Sequence, residues 1–205
     1  MIITDPNAIE ARSMEIIESE LTVDIPEENK AVVKRVIHCT ADFDYAENLA
    51  FSDGVCVIAI EALKNGCDIV TDTNMAKSGI NKAAAAKLDC EIHCFMSDPD
   101  VAEIAKERGC TRAVASMEKA AKLGKPVIFV VGNAPTALLS LREMIDAGKI
   151  KPELVIGVPV GFVNILESKN AIMEAGVPYI VAKGRKGGSN VAAAIVNALM
   201  YQITR

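Results

Sequence analysis

Five short apolar runs, separated by stretches of helical period, constrain this chain more than any other feature. They are Asp68-Ile69-Val70-Thr71, Glu91-Ile92-His93-Cys94-Phe95, Val127-Ile128-Phe129-Val130-Val131, Leu154-Val155-Ile156-Gly157 and Tyr179-Ile180-Val181-Ala182. Runs this short, alternating with helices, predict a parallel sheet covered on both faces. The spacing predicts helices over 98–108, 111–123, 135–147, 162–175 and 189–203, four of them followed at once by Gly109, Gly124, Gly148 or Gly176. In such a sheet the loops after successive strands gather at one edge. The loops that start at Thr71, Gly132, Gly157 and Lys183 are therefore expected to build one site.

The first 65 residues read as helical. Asp5-Pro6 supplies a cap and a first-turn proline before Ala8, Ile9, Met14, Ile16, Ile17 and Leu21. Pro26-Glu27-Glu28 opens a second helix whose apolar side is Val32, Val33, Val36 and Ile37. Shorter helical patterns run from Phe43 to Leu49 and from Ser52-Asp53 to Leu63, and Asn65-Gly66 supplies a stop. With no linker or internal repeat, residues 1–205 are expected to form one α/β domain.

Aromatic residues make up only 4% of a chain that is 51% apolar, so the core must be aliphatic. A net charge of -5 opposes binding of nucleic acid or anionic membrane by the surface as a whole, yet allows one local basic pocket. The apolar stretches fall short of the roughly 20 residues that span a bilayer. The segment Met1-Ile2-Ile3-Thr4-Asp5-Pro6 lacks the basic flank and long apolar core of a signal peptide, and a cytoplasmic location is expected. The six cysteines, at 39, 56, 67, 90, 94 and 110, form no Cys-x-x-Cys pair and read as packing residues rather than metal ligands.

Two histidines can be weighed singly. His93, inside a predicted central strand, reads as structural. His38 follows Val32-Val33-Lys34-Arg35-Val36-Ile37 near a helix end, where an imidazole suits proton donation or a plain structural role. Gly132-Asn133-Ala134-Pro135-Thr136 passes from strand to helix, and free N–H groups there could hold an anion or a polar substrate edge; the alternative is a tight turn. Lys183-Gly184-Arg185-Lys186-Gly187-Gly188-Ser189 sets three cations and three glycines before a helix, which favours anion binding over a merely solvated loop. Gly157-Val158-Pro159-Val160-Gly161-Phe162-Val163 can lie flat against a ligand. Glu167-Ser168-Lys169 reads, by itself, as a surface ion pair. The phosphate-binding Gly-x-x-x-x-Gly-Lys-Ser/Thr, the Gly-x-Gly-x-x-Gly fingerprint and the Gly-x-Ser-x-Gly elbow are all missing.

Together with Arg12-Ser13, Arg35-Val36-Ile37-His38 and Thr111-Arg112, these blocks resemble the precorrin-8X/cobalt-precorrin-8 methylmutase family of corrin-ring (vitamin B12) biosynthesis over almost the whole chain. The resemblance implies a flavodoxin-like three-layer α/β/α fold with a five-stranded parallel sheet and N-terminal helices packed on it. It also implies an isomerase that moves a methyl group from C-11 to C-12 of the macrocycle by a 1,5-sigmatropic shift. The product is cobyrinate or hydrogenobyrinate, and no cofactor or protein-held metal is expected. The family's catalytic histidine falls on His38, as an acid towards ring C. Substrate contacts are expected from Arg12, Ser13, Thr71 and Arg112, and from Gly132, Asn133, Ala134 and Thr136. Gly157, Pro159 and Gly161 join them, with Lys183, Arg185, Gly187, Gly188 and Ser189. A homodimer with active sites at its interface is implied too. The rival reading is a non-catalytic tetrapyrrole or small-anion carrier of the same architecture. A flavin or receiver module fits less well, since stacking aromatics are scarce and Asp72 stands nearly alone among strand-end acids.

Overall fold

The central strands are buried on both faces, and successive side chains join opposite layers. In the computed structural model, which describes residues 2–205, one mixed sheet of six strands carries helices on both faces. The strands are β1 (Leu49–Phe51), β2 (Asp68–Thr71), β3 (Ile92–His93), β4 (Val127–Val131), β5 (Leu154–Gly157) and β6 (Tyr179–Ala182). Their order is β1-β6-β5-β4-β2-β3; β2 to β6 are mutually parallel and β1 is antiparallel to β6. The helices are α1 (Pro6–Glu20), α2 (Glu27–Thr40), α3 (Tyr45–Asn48), α4 (Val55–Lys64), α5 (Asn74–Gly79) and α6 (Lys82–Lys87). They continue with α7 (Pro99–Arg108), α8 (Arg112–Ala120), α9 (Pro135–Asp146), α10 (Ile165–Met173) and α11 (Ser189–Thr204). Met1 lies outside the described residues.

Ile128, Val130, Leu154, Ile156, Ile180 and Ala182 pack with residues of α2, α4 and α11. Their neighbours Val127, Phe129, Val131, Val155 and Val181 face the other way and pack with α8, α9 and α10. Each large aliphatic side chain so buried contributes about 1.5–3 kcal/mol. Helix α11 is buried on nearly every side, and its alanines let other backbone come close. A Cβ on Gly132 would stand 2.8 Å from the Ser189 Cα and 3.0 Å from the Ala192 Cβ. Only glycine permits this approach of the β4 end to α11.

The structure corrects three expectations. The sheet has six strands rather than five, because β1 forms within what reads as helix and its continuation. The helix stops at Asn48, and Leu49, Ala50 and Phe51 pair with Ala182, Val181 and Ile180. Helical propensity loses to the unpaired N–H and C=O groups along β6, which would otherwise be orphaned beside the core. Strand β3 holds only Ile92 and His93, because the Asp98 N–H donates to the Phe95 carbonyl and turns the chain away. His93 is thus on an edge strand, not a central one. The N-terminal helices rest mainly on α11, with α2 packed along it and α1 outside α2.

Candidate active site

An antiparallel strand begins where its parallel neighbours end, and this puts the end of α2 at the site. Leu49 pairs with Ala182, the last residue of β6, and the Lys183 N–H donates to the Asn48 carbonyl at 2.8 Å. The segment joining α2 to β1 is therefore at the carboxyl edge of the parallel strands. His38 is half-buried in the last turn of α2. The next residue, Cys39, has its Sγ 3.9 Å from the carbonyl oxygen of Asn190 in the first turn of α11. Lys186 Nζ is 2.6 Å from both Asp42 and Asp44 carboxylates, which raises its pKa and commits this cation to the α2–α3 link. The end of α2 and the loop after β6 are one unit.

The loops after β5 and β6 are laced together. The Gly188 N–H donates to the Val158 carbonyl at 2.9 Å, and the Gly161 N–H to the Arg185 carbonyl at 3.3 Å. Gly187 has φ of 156°, and a Cβ there would overlap the Val158 carbonyl. Lys169 supports the loop after β6 from below. Only 1% exposed, its ammonium donates to the carbonyls of Gly184 (2.8 Å) and Lys186 (2.9 Å), and burial lowers its pKa to about 8. The surface ion pair suggested by Glu167-Ser168-Lys169 is overturned: Lys169 faces inward, and the Ser168 hydroxyl donates to the Ile165 carbonyl.

Two cations of this loop, Lys183 and Arg185, are exposed and have no carboxylate within 4 Å among the described residues. The Arg185 guanidinium stands over the Phe162 ring, 5.5 Å from its centre. Phe162 is 81% exposed and Val163 77% exposed, beside the half-exposed Val160. The loop pair thus offers cations and an uncovered apolar surface side by side. Pro159 and Gly157 are buried beneath it, and Gly157 has a side-chain methyl of Val181 3.2 Å from where a Cβ would be. They shape the loop from inside.

The turn after β4 departs from expectation. Asp72, fully buried, accepts from the N–H groups of Gly132 (2.9 Å), Asn133 (2.8 Å) and Ala134 (2.7 Å). Burial pushes its pKa up while these donors oppose that; because all three partners are donors, the ionised carboxylate is the form that fits. The start of α9 already holds an anion, supplied by the protein. The N–H groups offered by sequence for a substrate at 132–134 are spent. Thr71 is likewise turned inward, its hydroxyl 3.1 Å from the carbonyls of both Thr73 and His93. Thr73 reaches across to α11, with its hydroxyl 2.8 Å from that of Ser189. At α11 the opening N–H groups have no partner inside the helix.

Thr136 is drawn to the start of α8 by a 3.0 Å contact between its hydroxyl and that of Thr111, which brings exposed Arg112 beside the β4–α9 turn. Arg12 and Ser13 are not brought to these loops within the chain. Arg12 pairs with Glu15 on its own helix at 2.9 Å, and the Ser13 hydroxyl donates to the Ile9 carbonyl.

Residues 8–202 match the model of the family described as precorrin-8X methylmutase. This chain belongs to that family. It is 45% identical to the cobalt-precorrin-8 methylmutase of Salmonella typhimurium over 98% of this chain and 97% of the relative. It is 43% identical to the cobalt-precorrin-8 methylmutase of Leptospira interrogans, over 94% and 91% respectively. The solved precorrin-8X methylmutase of Thermus thermophilus superposes with a TM-score of 0.87 at 40% identity, covering 95% of this chain and 96% of that one. A methylmutase acts within one molecule, so the family resemblance, the six-stranded α/β fold and an isomerase activity agree. For a methylmutase site, sequence reasoning missed Lys169, Asp72 and Thr73. All three act through partners remote in sequence, and only the charge of Asp72 at a strand end marked it.

Proposed function

We propose that this protein is a cobalt-precorrin-8 methylmutase of cobalamin biosynthesis, an isomerase that shifts a methyl group from C-11 to C-12 of the corrin ring. The names of the two curated relatives support the cobalt-bearing substrate. The observation that carries the reading is the junction of the α2 end, bearing His38, with a loop pair that is cationic on one flank and apolar on the other. A macrocycle with apolar faces and carboxylate edges is complementary to such a surface.

A sigmatropic shift moves electrons around a conjugated ring and requires no nucleophile. What the protein must supply is a fixed ring and a proton where electron density changes. His38 is assigned the proton donor, and Lys183, Arg185, Arg112 and the N-terminal N–H groups of α11 the ring carboxylates. Gly161, Gly187 and Gly188 shape the loops that carry these groups. Arg12 and Ser13 are assigned to the site of a second copy in a homodimer, a reading supported by their distance from their own chain's loops and by the uncovered Phe162, Val163 and Leu166. The order β3-β2-β4-β5-β6 of the parallel strands favours the flavodoxin-like description of that part of the sheet. Among the described residues no helix is long and apolar enough to cross a membrane, in keeping with a cytoplasmic role.

The test is turnover of purified cobalt-precorrin-8 followed by its visible absorption, with metal-free precorrin-8X alongside. Removing a general acid costs about 10²–10⁴ in rate. His38→Ala is expected to lose turnover on that scale while still binding the ring. Full turnover by the variant would unseat His38, and wild-type protein that binds product but never forms it would make this a carrier.

A further inference from the structure

Two buried thiols face each other at the end of the sheet remote from the candidate active site. Strands β2 and β3 pair in parallel with Ile69 opposite Ile92 and Val70 opposite His93. Two residues earlier the same register sets Cys67 opposite Cys90. The approach continues before the ladder begins: the Ile69 N–H donates to the Glu91 carbonyl at 2.8 Å, and a Cβ on Gly66 would be 3.3 Å from the Asp89 carbonyl oxygen. Both cysteines belong to the same packed cluster as Ile69, so their side chains share a face. Cys90 Sγ lies 3.4 Å from the Leu63 carbonyl oxygen. Adjacent strands run about 4.8 Å apart, inside the Cα separation of roughly 4.4–6.8 Å that a disulfide accepts.

We propose that Cys67 and Cys90 form an oxidisable dithiol, converted by hydrogen peroxide to a disulfide that staples the entrance of β2 to the entrance of β3. The Cys90 thiolate attacks one peroxide oxygen, the O–O bond breaks, and the departing hydroxide takes up a proton to leave as water. The Cys67 sulfur then attacks the Cys90 sulfenic acid, forming the S–S bond as a second water departs with the Cys67 proton. Two thiols and one peroxide give one disulfide and two waters. Cys90 is the attacking sulfur for two reasons. It is the more accessible, 6% exposed against 1% for Cys67, and lies just ahead of an edge strand of only two residues. The neighbouring Cys67 thiol also holds its pKa down. Their burial limits the oxidant to a molecule as small as peroxide. By contrast, Cys56 meets Asn29 Oδ1 at 3.3 Å, and Cys39 is exposed.

The full-length protein is treated with hydrogen peroxide, remaining thiols are alkylated in denaturant, and trypsin with a Glu-specific protease digests the unreduced chain. Cleavage after Glu91 separates Cys90 from Cys94. The expected product is a Cys67–Cys90 linked peptide, about 2 Da lighter than the sum of its reduced parts, together with a rise in Tm of about 5 °C. In Cys67→Ala, Cys90 is expected to stop at the sulfenic acid, which dimedone captures. Full alkylation of both cysteines under conditions that oxidise Cys39 overturns the proposal, as does a bridge from Cys90 to Cys94. A Cys67–Cys90 link without a rise in Tm overturns the stapling.

Discussion

The Lys169 ammonium lies 2.8 Å from the Gly184 carbonyl oxygen, so a buried charge on α10 fixes the shape of a loop fifteen residues later. The Lys186 carbonyl accepts from the same ammonium at 2.9 Å. Lys169→Met keeps the bulk and removes the donors. We expect KM to rise by about tenfold, corresponding to about 1.4 kcal/mol of lost binding, with a smaller change in kcat. A fall in kcat at constant KM would mean that the loop geometry serves the chemical step instead.

The same lysine gives stability a dependence on pH. Burial lowers its pKa from 10.5 to about 8, so between these values the unfolded chain holds a proton that the folded chain has released. Stability from this group therefore rises with pH across that window and is lost as pH falls through 8. Urea unfolding at about pH 7 and about pH 9.5 should show a more positive pH slope for wild type than for Lys169→Met. Equal slopes would contradict a lysine that titrates inside the fold.

Asp72→Asn tests the anion held at the start of α9. The variant keeps the shape but turns an amide N–H₂ towards backbone donors, and the favourable charge at the helix start disappears. A loss of about 2–3 kcal/mol is expected, read as a lower urea midpoint at unchanged m-value. Wild-type stability would show that the three N–H groups find other partners.

Gly187 and Gly184 make a matched pair in one loop. Both have positive φ, yet a Cβ on Gly187 runs into the Val158 carbonyl, while one on Gly184 meets nothing within 4 Å. Gly184→Ala is expected to cost about 1 kcal/mol. Gly187→Ala should cost at least about 2 kcal/mol and weaken substrate binding as well. Equal melting temperatures for the two variants would contradict the lacing of the loops.

Much of the sheet was legible because burial on both faces writes itself into continuous apolar runs such as Val127 to Val131, and glycines marked where helices ended. Strand β1 was not legible: three residues are too few for a period, and its pairing partner β6 lies about 130 residues further on. The glycine loops could be located but not their internal wiring. Lys169 sits in a sequence that suits an exposed ion pair, and nothing local says that its acceptors are carbonyls. The N–H groups at 132–134 looked available because their acceptor, Asp72, lies some sixty residues earlier. Short-range pattern gave the scaffold, and long-range hydrogen bonds decided which groups stayed free.

By occupying the α9 terminus with its own carboxylate, Asp72 makes the carboxyl edge lopsided. Acid groups brought to this rim would meet open backbone donors at the α11 end, while at the α9 end the backbone is already neutralised and only the Arg112 side chain is left to greet them. The two flanks would therefore answer differently to substitution: one through a single removable side chain, the other through main chain that no point substitution strips away.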